Sequence, residues 1–274
     1  MIFILVFLSR FYLVTFSLFL FASSSICHEK LLRVVSLSPV STEIVATLNG
    51  SILVGVSKYC NYPNSINALP KVGDLTINYE KVLALNPDKI VGVGVSKIAQ
   101  DKFKSLGLST LFLESPESLK DILNTIDRIG TYVGETESAK NLISSMNVAL
   151  LNFKNTKPKV KRKVIVVLQY NPIIVAGSNG FISEILELSG GVYPLKSSKI
   201  QYPRVPLERV LEADPEFIIC GYPNLKHNLY SDRVILMTQA GRDRHIINSI
   251  NPDLFLRPGP RIINGIEELR KVIQ

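Results

Sequence analysis

Short apolar runs alternate along the chain with segments that carry the signals of helix ends. Val34–Leu37 and Val164–Leu168 are two such runs, and each precedes a segment that starts at a hydroxyl residue and stops at a glycine. The segments Thr42–Gly50 and Ser183–Gly191 therefore have the usual pattern of a capped helix with a glycine at its C-terminus. Strands that alternate with helices at this spacing predict βα units around mostly parallel sheets.

The same order of elements occurs twice. Residues Glu80–Val91 align without gaps with residues Glu208–Ile219, at an offset of 128 residues. Each segment predicts a short helix that begins with Glu-basic-Val-Leu, a proline break and then a buried strand. Two matches in the same order predict two similar lobes with Rossmann-like α/β architecture. One continuous doubly wound sheet is the alternative that the pattern leaves open.

Between the two repeats the apolar spacing becomes helical over a longer stretch. Apolar residues from Leu119 to Val133 follow i, i+3, i+4, i+7 spacing, Gly134 interrupts the run, and a second helix is predicted from Glu137 to Phe153. At 1.5 Å per residue that helix is about 25 Å long, so it can reach from one lobe to the other. Because a helical connector is stiffer than paired strands, we expect the lobes to move little. The predicted organisation is an N-terminal α/β lobe over residues 28–115, a helical connector over 116–157 and a C-terminal α/β lobe over 158–274.

The first 26 residues differ from the rest of the chain. The run Phe11–Ala22 is apolar apart from one threonine and one serine, and small residues follow it. This length suits the hydrophobic region of a signal peptide better than a membrane span, so we predict a signal peptide over residues 1–26 and export to the periplasm or cell envelope. An uncleaved anchor over Ile2–Ala22 and lipidation at Cys27 remain alternatives.

Composition and charge mainly exclude classes of protein. With 46% hydrophobic and 20% charged residues, 16 Gly and 15 Pro, the chain is neither disordered nor collagen-like nor a coiled-coil rod. The net charge is +8, but Lys157–Lys163 is the one dense basic cluster, so we predict a solvated basic surface and no nucleic-acid partner. Three cysteines cannot form a disulfide framework. Cys60 and Cys220, which fall in different lobes, are predicted to be free thiols.

Tyrosines recur close to the predicted strand ends. Tyr59 and Tyr170 each follow an apolar run, and Tyr202 precedes the second repeated helix. In an α/β protein with two lobes the ligand site lies near the carboxyl ends of the strands, in the cleft. Tyrosine offers a large ring and a hydroxyl group at little entropic cost, which suits a large, flat, partly apolar ligand. Each ring can alternatively pack its own loop onto the core.

The residue patterns of enzymes and metal sites are missing. His28, His227 and His245 are isolated and show no ligand-like spacing. Gly92–Gly94 lacks the third glycine of a dinucleotide fingerprint, and neither a nucleophile elbow nor a phosphate loop occurs. We therefore predict no enzymatic activity, no metal site and no bound cofactor.

Several segments resemble a known family of transport receptors. Arg33–Pro39 and Val54–Pro63, followed by Gly73–Val91 and Asp253–Arg261, are similar to the periplasmic vitamin B12-binding proteins of cobalamin ABC importers. The resemblance covers nearly all of residues 32–270. These motifs are typical of a wider superfamily of receptors with a helical backbone, which also binds haem and ferric siderophores.

The resemblance implies a cleft between two lobes that holds cobalamin or a related corrinoid as transported ligand. By position in the family pattern, Tyr59 would contact the ligand, and Tyr170 and Tyr202 would line the cleft. Further contacts would come from one segment, Asp253, Leu254, Phe255, Leu256 and Arg257. Haem or a ferric siderophore is the alternative ligand. An anionic siderophore would require Arg204, Arg257 and Arg261 to converge in the cleft, where they could form bidentate pairs with its oxygens.

The resemblance also implies a membrane partner. Glu80 and Glu208, one on each lobe, would dock onto arginines of the importer's transmembrane permease, which works with a cytoplasmic ATPase. The repeat places the same two glutamates at equivalent positions, which supports the assignment independently. We expect the receptor to act as a monomer.

Overall fold

Two mostly parallel β-sheets organise the protein, as the alternating pattern predicted. The computed structural model describes residues 31–74, 76–195 and 200–274, so the predicted signal peptide over 1–26 and Cys27 lie outside the described residues. Leu32–Gln274 group into one compact unit. Within the described ranges, no helix has both the length and the apolar character that crossing a membrane requires.

The first sheet has the strand order β2-β1-β3-β4, and all of its described pairings are parallel. Its central strand β1 is fully buried, because helices cover both faces of a parallel sheet. The strands are β1 (Val34–Ser36), β2 (Leu53–Val56), β3 (Lys89–Val93) and β4 (Thr110–Leu113). The helices are α1 (Pro39–Asn49), α2 (Tyr79–Ala84) and α3 (Lys97–Ser105). These elements form the N-terminal lobe.

The connector consists of two helices, α4 (Leu119–Val133) and α5 (Thr136–Asn155). The Ser118 side chain caps the start of α4, and Gly134 ends it in the left-handed conformation at φ 83°, which glycine adopts without strain. The apolar face predicted for α4 is buried. A single hydrophobic cluster runs from β1 through both connector helices into the second half of the chain, so the two lobes share one core.

The second sheet has the order β6-β5-β8-β9, with β7 also paired to β5. Only β6 is antiparallel to its neighbour among the described pairings. The strands are β5 (Arg162–Gln169), β6 (Ile174–Val175), β7 (Gly191–Val192), β8 (Phe217–Cys220) and β9 (Ile246–Ile247). The helices are α6 (Phe181–Leu188), α7 (Leu207–Ala213), α8 (Leu225–Tyr230), α9 (Arg233–Leu236), α10 (Gln239–Arg242), α11 (Asp253–Leu256) and α12 (Ile262–Ile273). These elements form the C-terminal lobe.

The internal repeat is visible in the topology. In the first sheet β1 lies between β2 and β3, and β4 lies beyond β3. In the second sheet β5 pairs with both β7 and β8, and β9 lies beyond β8. Strand β7 thus corresponds to β2, and helix α7 corresponds to α2. The predicted two-lobed α/β fold with a connecting helix pair is confirmed.

Both cysteines of the described chain are free and buried. Cys60 Sγ lies 3.0 Å from Thr42 Oγ1. Burial raises the pKa of the Cys220 thiol to about 11, so it stays protonated and unreactive at neutral pH.

Candidate ligand-binding site

A cluster of buried hydroxyl groups fixes the turn between β1 and α1. Ser36 Oγ lies 2.7 Å from Ser41 Oγ and accepts a hydrogen bond of 2.8 Å from Thr42 Oγ1. Ser38 Oγ accepts a hydrogen bond of 3.0 Å from the Val93 amide at the end of β3. These bonds tie the first turn of α1 to the two central strands. The next residue along α1, Glu43, is thereby held at the junction between the lobes.

Glu43 is a buried carboxylate that pairs with two arginines of the C-terminal lobe. Its side chain is only 2% exposed, and it accepts hydrogen bonds from Arg257 Nη1 and Arg261 Nη2. Arg261 Nε donates a further bond of 3.1 Å to the second carboxylate oxygen, so this pair is bidentate. A carboxylate removed from water in this way needs such partners, because an unpaired buried charge is strongly unfavourable.

Residues of the β2 loop complete this contact. Asn61 Oδ1 accepts a bond of 3.0 Å from Arg257, and Asn61 Nδ2 donates one of 2.9 Å to Asp253. Asp253 in turn pairs with Arg257 at 2.9 Å. The Tyr62 ring lies 3.8 Å below the Arg261 guanidinium, a cation–π contact. We call this set the interlobe cluster: Glu43, Asn61, Tyr62, Asp253, Arg257 and Arg261.

Tyr59 precedes Asn61 of the interlobe cluster by two residues in the same loop. Its side chain is 51% exposed. Through Asn61, the structure joins the loop that carries Tyr59 to the sequence-predicted segment Asp253–Arg257. Within that segment Leu254 and Leu256 are half-buried, whereas Phe255 is fully buried in the shared core. The Phe255 side chain therefore anchors the segment from below and offers no surface to a ligand in this conformation.

The other predicted tyrosines occupy separate environments. Tyr202 is exposed by 43%, and burial of its hydroxyl, with nearby Glu117 and Tyr222, raises the pKa of Tyr202. Tyr170 donates a hydrogen bond of 2.7 Å to Asp232, which raises the pKa of Tyr170, and its ring packs on the core of the C-terminal lobe. Tyr202 is thus grouped with Tyr222, and Tyr170 is held against its own lobe.

Sequence reasoning missed Glu43 and Tyr222 as candidate site residues. Tyr222 follows β8 within two residues and is 53% exposed, so the rule that selected Tyr59 applies to it as well. For Glu43 the available signal was an acidic residue inside an otherwise hydroxyl-rich and apolar helix start. Its arginine partners are more than 200 residues away in the chain, and no local pattern identifies them.

The two predicted docking glutamates are exposed in the first turns of equivalent helices. Glu80 lies in α2 and Glu208 in α7. Each helix connects two parallel strands of its sheet. It therefore begins at the edge where the strands have their carboxyl ends. The loops that carry Tyr59 and Tyr222 leave the sheets at that same edge.

Two of the three arginines required for an anionic siderophore meet in the structure. These are Arg257 and Arg261, and both are paired with Glu43. Arg204 is exposed, and its backbone forms an isolated antiparallel bridge with Ile174 of β6. Among the described residues, no group of three or more His, Cys, Asp or Glu is placed to hold a metal ion.

Glu184 is the counterpart of Glu43 in the repeat, and it also contacts a helix start. Its carboxylate accepts a hydrogen bond of 3.1 Å from the Leu119 amide, the first residue of connector helix α4. Burial raises the pKa of Glu184, and the nearby negative charges of Asp121 and Glu187 add to the rise. Each lobe therefore places one glutamate of its first helix against the start of a helix outside that lobe's sheet.

The raised pKa of Glu184 predicts a pH-dependent stability. The folded state binds this proton more tightly than the unfolded state, so the contribution is full below the ordinary carboxyl pKa of about 4.3 and is lost as the pH rises through the raised value. Glu184→Gln keeps an acceptor for the Leu119 amide but cannot titrate. We expect the stability of the wild type relative to this variant to fall from pH 4 to pH 7 in urea unfolding. An unchanged difference would contradict the assignment.

Comparison with known proteins identifies the family. Residues 34–249 match the periplasmic binding protein family. The chain belongs to this family. A substrate-binding lipoprotein of an ABC transporter from Bacillus subtilis, YvrC, is 27% identical over 253 residues, which cover 88% of this chain and 79% of the relative. This periplasmic binding protein is thus a solute-binding receptor of an ABC importer and not an enzyme.

Solved structures agree with this assignment. The periplasmic vitamin B12-binding protein BtuF of Vibrio cholerae matches with a TM-score of 0.74 and 26% identity, over 88% of this chain and 96% of that one. The haem-binding protein RhuT from Roseiflexus sp. RS-1 matches with a TM-score of 0.79 and 22% identity, over 89% of this chain and 99% of that one. The fold is therefore shared by receptors of different ligands, and the ligand must be argued from side chains.

Proposed function

We propose that this receptor binds cobalamin or a related corrinoid in the cleft between its lobes and delivers it to the permease of an ABC importer. In this proposal the lobes comprise residues 28–115 and 158–274, joined by the connector 116–157. The protein is exported to the periplasm or cell envelope by the N-terminal segment and acts as a monomer.

The observation that carries the proposal is the position of Tyr59. It is an exposed ring on the loop whose Asn61 belongs to the interlobe cluster, and the charges of that cluster are already paired. Tyr202 and Tyr222 add two exposed rings from the C-terminal lobe. Exposed aromatic rings beside neutralised polar groups favour a large, flat ligand with an apolar face and neutral hydrogen-bonding groups at its edge. A corrinoid with its amide side chains has this chemistry, and a vitamin B12-binding relative supports the choice.

The alternative ligands are haem and ferric siderophores. Haem also has a large flat surface, and a haem-binding receptor has the same fold. Haem is therefore the second ligand to be titrated. An anionic siderophore is disfavoured, because two of the three arginines that would bind it are occupied by Glu43. A ligand with carboxylates at the cluster would have to compete with that buried carboxylate.

Glu80 and Glu208 are proposed to dock the loaded receptor onto permease arginines. Both are exposed, and they occupy equivalent places in the two lobes. A carboxylate in a first helical turn also gains about 0.3–1 kcal/mol from the helix dipole, so a purely local role is the competing explanation.

Loss of the Tyr59 ring should weaken ligand binding. Titration of residues 28–274 with cyanocobalamin is expected to give one bound ligand, and Tyr59→Ala should cost about 1–3 kcal/mol of binding free energy, as for an aromatic contact in a desolvated pocket. Isothermal titration calorimetry measures both values, with haem and a ferric siderophore titrated in parallel.

Tyr132→Phe is a suitable control, because Tyr132 is a partly buried connector tyrosine whose hydroxyl contacts Ser109. It should leave the affinity unchanged. Binding of haem without binding of cobalamin would overturn the corrinoid proposal. A folded Tyr59→Ala variant with wild-type affinity would assign Tyr59 to loop packing.

A further inference from the structure

Four charged side chains meet in the interlobe cluster, and their formal charges cancel. Arg257 and Arg261 supply two positive charges, and Glu43 and Asp253 supply two negative ones. The four are not equivalent. Glu43 is 2% exposed and pairs with both arginines, whereas Asp253 is 30% exposed and pairs with one of them, Arg257.

Glu43 is held in place by contacts within the protein. The hydroxyl cluster at the start of α1 fixes its helix, and both arginines bind its carboxylate. Its two oxygens occupy N–H groups of the guanidinium edges that could otherwise pair with a ligand carboxylate, since arginine binds carboxylates through these groups.

We propose that Glu43 determines the chemical class of the ligand by occupying Arg257 and Arg261. It acts as an internal carboxylate, so the ligand presents neutral amide groups to this part of the site, and carboxylate-bearing ligands are rejected. Glu43 is a positioning residue in this account, because it reaches the ligand through the arginines. The inference rests on the proposed function. It adds that the receptor recognises uncharged amide groups at the edge of the corrinoid, in addition to its flat ring.

Matched ligand pairs test this role. Cyanocobalamin is compared with a derivative in which one side-chain amide is hydrolysed to a carboxylate, and haem is compared with its dimethyl ester. The measured quantity is the ratio of the dissociation constants of the acid and neutral members of the pair that binds. Glu43→Gln leaves the cluster with one net positive charge, so this ratio should move about tenfold in favour of the acid. The wild type should prefer the neutral member.

Two further variants keep the test decisive. Arg261→Gln leaves the cluster with one net negative charge, so it should move the ratio of dissociation constants in the opposite direction. If Glu43→Gln fails to fold, the Arg261→Gln variant still tests the proposal. Glu184→Gln, the same change at the equivalent position of the other lobe, should leave the ratio unchanged because no arginine pairs with Glu184 among its described contacts.

The outcomes separate this inference from the proposed function. Binding of the haem pair alone would overturn the corrinoid proposal while still measuring the effect of Glu43. A ratio that is unchanged in folded Glu43→Gln and Arg261→Gln, or that moves the same way in both, would overturn the role of Glu43.

Discussion

A receptor that carries both Glu80→Lys and Glu208→Lys is expected to bind cobalamin and to deliver none of it. Both carboxylates are exposed on equivalent helices, so reversing them should leave the fold and the cleft intact. In the proposed complex each new lysine would face a permease arginine, and like charges brought together at an interface cost several kcal/mol. Uptake into vesicles that contain the reconstituted importer should therefore be abolished, with soluble affinity within a few-fold of the wild type.

A matched control separates docking from total charge. Asp101→Lys with Glu268→Lys makes the same change in net charge. Asp101 is exposed and Glu268 is half-buried, and each pairs with a lysine of its own helix, α3 or α12. Such surface pairs contribute little to stability, so this variant should transport normally. Surviving uptake in the Glu80/Glu208 variant would contradict the docking assignment, as would a parallel loss of ligand affinity.

Gly265→Ala is expected to be the most disruptive small substitution near the candidate site. A Cβ at this position of α12 would lie 2.2 Å from the Leu254 carbonyl oxygen and 2.8 Å from its carbon. Both neighbours are backbone atoms, so a rotamer change cannot relieve the clash, and α11 must move away from α12. We expect a loss of about 3 kcal/mol in the free energy of unfolding, the upper part of the range for overpacking.

The same substitution should also lower the affinity for the ligand, because α11 consists of Asp253–Leu256 and leads into Arg257. Urea unfolding and calorimetric titration measure the two effects. Gly50→Ala provides the control, since Gly50 has an ordinary φ of −67° and no neighbour within 4 Å of an added Cβ. It should change stability by less than about 0.5 kcal/mol. Equal stability of the two variants would refute the close approach of α12 to α11.

The fold could be predicted because its signals are local. The apolar run at Val164–Leu168 lies in β5, the glycine at 134 ends α4, and the helix expected over 137–153 extends over Thr136–Asn155. The repeat of Glu80 and Glu208 marks equivalent helices in the two lobes. Each of these signals depends on residues within about one turn or one strand of each other.

The candidate site was predictable only in part. Tyr59 and the segment 253–257 were selected from the sequence, and the structure joins the loop of Tyr59 to that segment through Asn61. The contacts that join them, through Glu43 and Asn61, connect residues about 200 positions apart. Periodicity and capping carry no information about such pairs. The inward orientation of Phe255 was missed for the same reason, since its surroundings come from the shared core.

The shared core has a consequence for how transport responds to the amount of receptor. It runs without interruption through the connector, and Glu43 and Glu184 contact residues at helix starts on both sides of it. Because the lobes share this core, we expect them to move little, so that Glu80 and Glu208 would keep nearly the same separation with and without ligand. Under the docking proposal, empty and loaded receptors then compete for the same permease on almost equal terms. Once the receptor is in excess over the ligand, producing more receptor should slow import. Import of a scarce ligand should then be fastest when the amount of receptor is close to the amount of ligand.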